Sequence, residues 1–376
     1  MMIPQSEFQN PKYKEIIVFA REAFGFSESF SIEVSPLEGR GSDRTFFRLK
    51  WNRKDSAIIV NYDPKRIENT YYADIATFLH DINVPAPRLI HHDPARYLII
   101  MEDLGETDLW SLRENPWEIR HTLYQKTLTM MHRLHSFPEK NFPSDRVRLM
   151  ESFGYDLYLW ERDYFRDHFV RDVCGIKLEP TFKKELEDEL SALAGRLIGA
   201  IRCLVHRDLQ SQNVMICDGE PFFIDFQGMR FGNPFYDLGS FLCDPYVDFS
   251  GSERNELLSF SYVLWNSKAG TMSEVEILSK VEGLKWNIDW TTFQNNFWEA
   301  SAQRLMQALG AYGFLGLEKG LKAYLKHIPA GLTNLHLATS QVASLPRLQE
   351  LSQKCQSYLP SLLRGEGEGG GDKAIF

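Results

Sequence analysis

The feature that most constrains this chain is a short island of strand and turn set between long helical stretches. Val214–Cys217 reads as a strand, Asp218-Gly219 as a tight hairpin turn, and Phe222–Ile224 as the returning strand. Pairing those strands brings Asn213, at the entry of the hairpin, beside Asp225 at its exit. Two oxygen-bearing side chains at the open end of a hairpin can hold a magnesium ion. Asp208 stands five residues before Asn213, in a loop after Val205-His206-Arg207, where its carboxylate can reach an incoming hydroxyl. Phosphoryl transfer needs these parts: a carboxylate to accept or orient the hydroxyl proton, and metal ligands to fix the cation between phosphate oxygens. The combined pattern, His206-Arg207-Asp208 with Asn213 and then Asp225-Phe226, supplies all of these parts. Five residue types at fixed spacing, each at about 5% usage, coincide by chance in about one chain in ten thousand. The competing reading, acids that merely cap turns, leaves their convergence at the hairpin mouth unexplained.

The rest of the 376-residue chain has room for two domains or one two-lobed domain. Ile16, Ile17, Phe19, Ala20, Ala23 and Phe24 recur at helical spacing over 12–25. Strand candidates follow at 29–37, 45–49 and 56–62, a helix at 66–80, and two more strands at 88–92 and 96–102, split by Asp93-Pro94. The β-branched run at 56–62 suggests a strand buried on both faces. This order predicts a small antiparallel sheet with one helix. Beyond Leu104-Gly105 the period turns helical, over 116–136 and most of 151–200 and 252–352, with the island at 203–226 as the interruption. The expected class is α+β: an N-terminal lobe over 1–103, a linker near 102–107, a larger helical lobe over 104–363 and a flexible Gly/Glu-rich tail over 364–376. The 26 Phe, 15 Tyr and 8 Trp can fill a large core. A net charge of −9 opposes nucleic acid as the main partner. Five cysteines with no C-x-x-C spacing give no zinc site and suit a reducing compartment. The longest apolar runs fall far short of the roughly 20 residues that span a bilayer. The N-terminus lacks a basic region followed by an apolar stretch, so a cytoplasmic protein with no membrane crossing is expected.

His206-Arg207-Asp208 with Asn213, Ile224-Asp225-Phe226-Gln227, and Gly232 followed by Tyr236-Asp237-Leu238 resemble the aminoglycoside phosphotransferase and choline kinase group. That resemblance covers roughly 30–330 and implies a two-lobed protein-kinase-like fold. Arg207, Gln227, the run Tyr236 to Tyr246 and Gln303-Arg304 through Gly310 resemble one branch, the bacterial cell-wall-recycling kinases that phosphorylate N-acetylmuramate and N-acetylglucosamine at the anomeric hydroxyl. The resemblance implies a small-molecule kinase using ATP, with GTP as an alternative donor, and Mg²⁺. Asp208 would be the catalytic residue, and Asn213 and Asp225 the metal ligands. A monomer is favoured.

Leu37 to Leu49 lies between two predicted strands and holds Gly39, Arg40, Gly41, Ser42 and Thr45. Glycines let backbone N–H groups approach phosphate oxygens, and Ser42 and Thr45 add hydroxyl donors. Alone this is as well read as an ordinary turn; ahead of the catalytic island it is read as the phosphate loop. A kinase normally carries a lysine on its third strand, and Ala57–Asn61 has none. The candidate replacements are Arg40, Arg44, Arg48 and Lys65, and the nearest helix acids are Glu68 and Asp74. In kinase-like folds the linker backbone bonds the adenine edge, which here means Met101, Glu102 and Leu104.

On the acceptor side, Gln227 is expected to face the acceptor. Asp237 is expected to take hydrogen bonds from loop N–H groups or from His206, and His206 to brace the loop. Arg207 can pair with an acid or a phosphate. The branch resemblance offers Glu161, Asp244, Tyr246 and Arg304 as acceptor contacts, with Arg304 binding either an anionic substrate group or an internal acid. Two other readings stay open. One is a kinase of an aminoglycoside, choline or another amine, whose pocket would be rich in acids. The other is a nucleotide-binding scaffold without catalysis, suggested only by the missing lysine. A protein kinase is disfavoured, because Gly232–Asp237 follows Asp225 too closely for a peptide platform.

Overall fold

The computed structural model describes residues 11–37, 44–52, 55–266 and 287–359. The expected tail over 364–376 and the stretch 38–43 lie outside the described residues. The chain divides into two compact units. The first takes Met1–Leu112, Lys140–Met150 and Gln212–Met229; the second takes Arg113–Glu139, Glu151–Ser211 and Arg230–Phe376.

Five antiparallel strands build the first unit: β1 (Glu33–Leu37), β2 (Thr45–Lys50), β3 (Ser56–Asn61), β4 (Leu89–Asp93) and β5 (Leu98–Glu102), in the order β1-β2-β3-β5-β4. Helix α1 (Pro11–Phe24) packs Ile16, Phe19 and Ala20 with Val34, Leu49, Ala57, Ile59 and Ile100, which fixes one face of the sheet. Ile58 and Val60 are also buried, so β3 is covered on both sides as its β-branched run requires. Helix α2 (Tyr72–Asp81) is shorter than the expected 66–80, because Ile67–Tyr71 forms a tighter 3₁₀ turn that no side chain caps.

The hairpin of β7 (Val214–Cys217) and β8 (Glu220–Phe223) belongs to this unit. Leu109 N–H donates to the Val214 carbonyl at 2.8 Å, Ile216 N–H to the Thr107 carbonyl at 2.8 Å, and Phe223 N–H to the Pro85 carbonyl at 2.9 Å. Packing therefore divides the chain differently from a single cut near 103. The first unit runs on to Leu112 and recruits residues more than a hundred positions downstream.

The second unit is helical around a two-stranded ribbon, β6 (Cys203–Val205) with β9 (Arg230–Gly232). Its helices are α3 (Trp117–His135), α4 (Tyr155–Phe165), α5 (Pro180–Gly199), α6 (Pro234–Leu242), α7 (Gly251–Asn266), α8 (Trp290–Gly313), α9 (Ile328–Ser340) and α10 (Pro346–Tyr358). The helical period over 318–352 does not make one helix. Gly320 takes a left-handed φ of 71°, and Pro329 and Pro346 each open a new helix. Helices α6 and α8 cross closely at Gly239, where a Cβ would stand 2.8 Å from the Ser301 Cα. Among the described residues no helix is long and apolar enough to cross a membrane.

Candidate active site

A cavity of about 470 Å³ opens in the first unit, within the size range that takes small ligands. Arg44, Phe46 and Arg48 line it from alternate positions entering and along β2, since successive side chains of a strand point to opposite faces. Ile58, Tyr72, Met101, Leu104 and the hairpin residues Asn213, Met215 and Asp225 complete the wall. The linker after β5 is held by Arg48. Its Nη2 donates to Asp103 Oδ1 at 3.1 Å and to the Gly105 carbonyl at 3.0 Å, its Nε lies 2.8 Å from Asp103 Oδ2, and it also pairs with Glu106. Burial opposes the charge on Arg48, and the Asp103 and Glu106 carboxylates outweigh it, holding the guanidinium above its ordinary range. Gly105 closes the turn with φ 86°, a conformation that favours glycine.

Met101, Glu102 and Leu104 line this cavity, whereas Gly39, Arg40, Gly41 and Ser42 lie outside the described residues. Thr45 does not line it: the pleat sends this exposed residue to the face opposite Arg44 and Phe46. Of the cations weighed as substitutes for the missing lysine, Arg44 and Arg48 line the cavity and Lys65 is exposed apart from it. Glu68 pairs with Arg66 at 2.7 Å and Asp74 is exposed, so neither helix acid enters the cavity.

The hairpin has the geometry its sequence requires. Val214 pairs with Phe223 and Cys217 with Glu220, while Asp218 and Gly219 take left-handed φ values of 51° and 76° at the turn. Ile224 N–H donates to the Asn213 carbonyl at 3.0 Å, so the pairing runs one step further and Asn213 and Asp225 leave the hairpin together. Asp225 turns the chain with φ 61° and ψ 31°. Its carboxylate pairs with the Arg44 guanidinium and accepts from Gln227 Nε2 at 3.0 Å, and Gln227 Oε1 accepts from Arg44 Nη1 at 3.0 Å. Gln227, expected to face an acceptor, is instead 5% exposed and spent on this cluster. The Phe226 ring stacks on Tyr72 at 4.6 Å, tying the segment to α2. A carboxylate and an amide carbonyl are hard oxygen donors suited to Mg²⁺. The guanidinium already seated on Asp225 shows that this position stabilises positive charge.

In the second unit the loop that carries Asp208 hangs from a buried carboxylate. Asp237 is fully buried and accepts from the backbone N–H groups of His206 at 2.7 Å and Arg207 at 2.8 Å, and from His135 Nε2 at 3.0 Å. His206 Nδ1 in turn accepts from the Asp208 N–H at 3.3 Å, so His206 braces the loop. Arg207 takes φ 80°, which throws Asp208 forward of β6. The far end is tied by Asp244, whose Oδ2 accepts from Ser211 N–H at 2.8 Å and Oγ at 2.6 Å, while Oδ1 accepts from Tyr246 N–H at 3.0 Å. Burial pushes Asp244 up to about 6 against those hydrogen bonds.

Asp208 itself, with 29% of its side chain exposed, accepts from Arg304 Nη2 at 2.5 Å. Arg304 is buried on α8, where its Nε donates to Ser240 Oγ at 3.1 Å and its Nη1 bonds Gln307. Burial by itself would lower the Arg304 pKa, but the Asp208 carboxylate and its neighbours raise it, so the guanidinium stays charged. Arg207 feels the same balance of burial against Asp208.

Two of the other expected acceptor contacts, Glu161 and Asp244, are buried and engaged within the protein. Glu161 is 2% exposed and its two oxygens take Tyr236 Oη at 2.8 Å and Gln303 Nε2 at 2.9 Å, binding α4, α6 and α8 together. Burial raises its pKa, an effect those two hydrogen bonds oppose. Asp244 is a loop tie with no exposure, and the Tyr246 ring packs edge-on against His327 at 4.2 Å. Sequence reasoning missed His135 and Ser211. His135 sits 102 residues from the carboxylate it bonds, so no local spacing marks it.

The model of the APH phosphotransferase enzyme family matches residues 33–262. A curated N-acetylmuramate/N-acetylglucosamine kinase of Neisseria meningitidis serogroup B is 24% identical over 311 residues, covering 82% of this chain and 86% of that protein. A kinase of the same name from Pseudomonas aeruginosa is 22% identical over 341 residues, covering 88% and 90%. Among solved structures, the streptomycin–ATP ternary complex of the aminoglycoside phosphotransferase APH(2")-IIa superposes with a TM-score of 0.52 at 16% identity, over 89% of this chain and 97% of that one. The fold is therefore kinase-like, and the match over more than half its length means that the chain belongs to the phosphotransferase enzyme family.

Proposed function

We propose that the protein is an ATP-dependent kinase of an N-acetylated amino sugar, acting at the anomeric hydroxyl. The observation that carries the choice of acceptor is the charge around Asp208. Arg304 bonds it directly and Arg207 lies beside it, while Glu161, Asp237 and Asp244 are buried and engaged elsewhere. Two guanidiniums at the acceptor carboxylate suit a neutral or anionic sugar, such as one with a lactyl carboxylate, and repel the cationic aminoglycosides or choline. Two relatives named for N-acetylmuramate and N-acetylglucosamine, each aligned over most of this chain, support the same class.

In this reading the anomeric O–H gives its proton to the Asp208 carboxylate as its oxygen bonds the γ-phosphorus of ATP. The bond from that phosphorus to the β–γ bridging oxygen breaks, and ADP leaves with the electron pair. An anomeric hydroxyl is more acidic than an ordinary alcohol, so a carboxylate is base enough. Asn213 and Asp225 would hold Mg²⁺, whose contribution is to neutralise charge on the phosphate oxygens. The apolar walls at Ile58, Met101 and Leu104 suit the adenine ring.

The test is ADP release with Mg-ATP across N-acetylglucosamine, N-acetylmuramate, glucosamine, kanamycin and choline, with water as control. Turnover of the N-acetyl sugars, lost with the 1-O-methyl glycoside and reduced at least 1000-fold in Asp208→Asn at unchanged ATP affinity, is expected. Turnover of kanamycin or choline alone would move the protein to amine acceptors. ATP binding without turnover of any acceptor would favour a non-catalytic scaffold.

A further inference from the structure

We infer that Arg44 is the phosphate-binding cation of this chain, standing at the entry to the second strand in place of a lysine on the third, and that Asp225 holds it ready until nucleotide and metal arrive. The inference rests on the kinase reading of the cavity and names a residue within it.

Strand β3 brings no cation to the cavity: Ile58 is the residue it presents, and the strand is apolar from Ala57 to Val60. The triphosphate of a nucleotide still needs positive charge beyond the metal. Two cationic side chains line the cavity among the described residues, Arg44 and Arg48. Arg48 is committed to the linker, through both oxygens of Asp103, the Gly105 carbonyl and Glu106. Releasing it would free the turn that closes the cavity.

Arg44 is placed differently. Its guanidinium bonds the carboxylate of Asp225 and the amide oxygen of Gln227, lies 5.5 Å from the centroid of the Phe46 ring, and leaves 10% of its side chain exposed. Asp225 would hold the metal that neutralises the phosphates, and Arg44, one hydrogen bond from Asp225, would stand within reach of the same phosphates. With the carboxylate given over to a divalent ion, the Arg44 guanidinium would be free to pair with two non-bridging phosphate oxygens. Its planar fork of donors matches that oxygen pair, as a lysine ammonium does not. Gln227 keeps its bond to Arg44 throughout, so the fork is aimed even when the carboxylate is occupied.

The test compares wild type, Arg44→Gln, Arg44→Lys and Lys65→Gln, the last an exposed lysine apart from the cavity. Affinities for ATP with Mg²⁺ and for adenosine are measured by calorimetry, and Mn²⁺ binding without nucleotide by electron paramagnetic resonance. Arg44→Gln is expected to weaken ATP about 10- to 100-fold, to leave adenosine unchanged, and to tighten Mn²⁺, because the competing charge on Asp225 is gone. Arg44→Lys should recover part of the ATP affinity, and Lys65→Gln should match wild type in all three. In turnover with the accepted sugar, kcat of Arg44→Gln should fall about 100-fold. Unchanged ATP affinity in Arg44→Gln would overturn the assignment. So would an equal loss for adenosine, which would mark a change in cavity shape. These binding readouts do not depend on the acceptor, so they can fail while the sugar-kinase reading stands, and the reverse.

Discussion

Arg304 reaches Asp208 from α8, and a chain of contacts through Ser240 and Gln307 leaves its guanidinium little freedom. A guanidinium held this firmly fixes the direction in which the carboxylate it touches can face. Arg304→Gln should therefore lower kcat about 10-fold, while Arg304→Lys restores most of the loss. A kcat unchanged in Arg304→Gln, measured with the accepted sugar, would remove Arg304 from the control of Asp208. At this scale the sequence was most informative where chemistry fixes spacing within a few residues, as it does for Asp208, Asn213 and Asp225. It was misleading where a polar residue is shared between distant segments. Glu161, Asp244 and Gln227 read as acceptor contacts because acids and amides in a helical lobe look available. In the folded chain each is used up internally, and pairing between segments a hundred residues apart leaves no trace in local pattern.

Among the elements, the hairpin was the most legible, since Asp218-Gly219 dictates the turn and the alternation dictates the register. The five sheet strands appeared within a few residues of their true limits for the same reason. The helices beyond 318 were less legible, because apolar spacing persists across the breaks at Gly320, Pro329 and Pro346. The crossing of α6 and α8 could not be read at all. It depends on Gly239 meeting the Ser301 backbone, and it sets where Asp237 and Arg304 stand, one on each helix. Gly239→Ala would press a methyl group into the Ser301 backbone and force the helices apart. It should destabilise the protein by about 1–3 kcal/mol in chemical denaturation and lower kcat more than it raises KM for ATP. A variant as stable and as active as wild type would show that the crossing has slack.

At the scale of the whole molecule, buried acid makes stability depend on pH. Asp244 has a folded pKa near 6, above its ordinary 3.8, because burial disfavours its charge. Protonation thus favours the folded form, and the contribution is lost as pH rises through about 6. Relative to Asp244→Asn, which is neutral at every pH, the wild type should gain about 1 kcal/mol on going from pH 7 to pH 5. Urea denaturation of both proteins at the two pH values measures it, and a gap that does not change would mean that Asp244 titrates as an exposed acid does.

The recruitment of the hairpin into the first unit has a consequence for how the protein is made. Translation delivers the five sheet strands early, and by residue 112 the ribosome has supplied the whole sheet and its linker. Asn213 and Asp225 come a further hundred residues later, behind the helices α3, α4 and α5 of the other unit. A nascent chain stalled between residues 112 and 225 carries the sheet with an unfinished cavity, and no contiguous fragment cut from the N-terminal third contains both the apolar walls and the acid that faces Arg44.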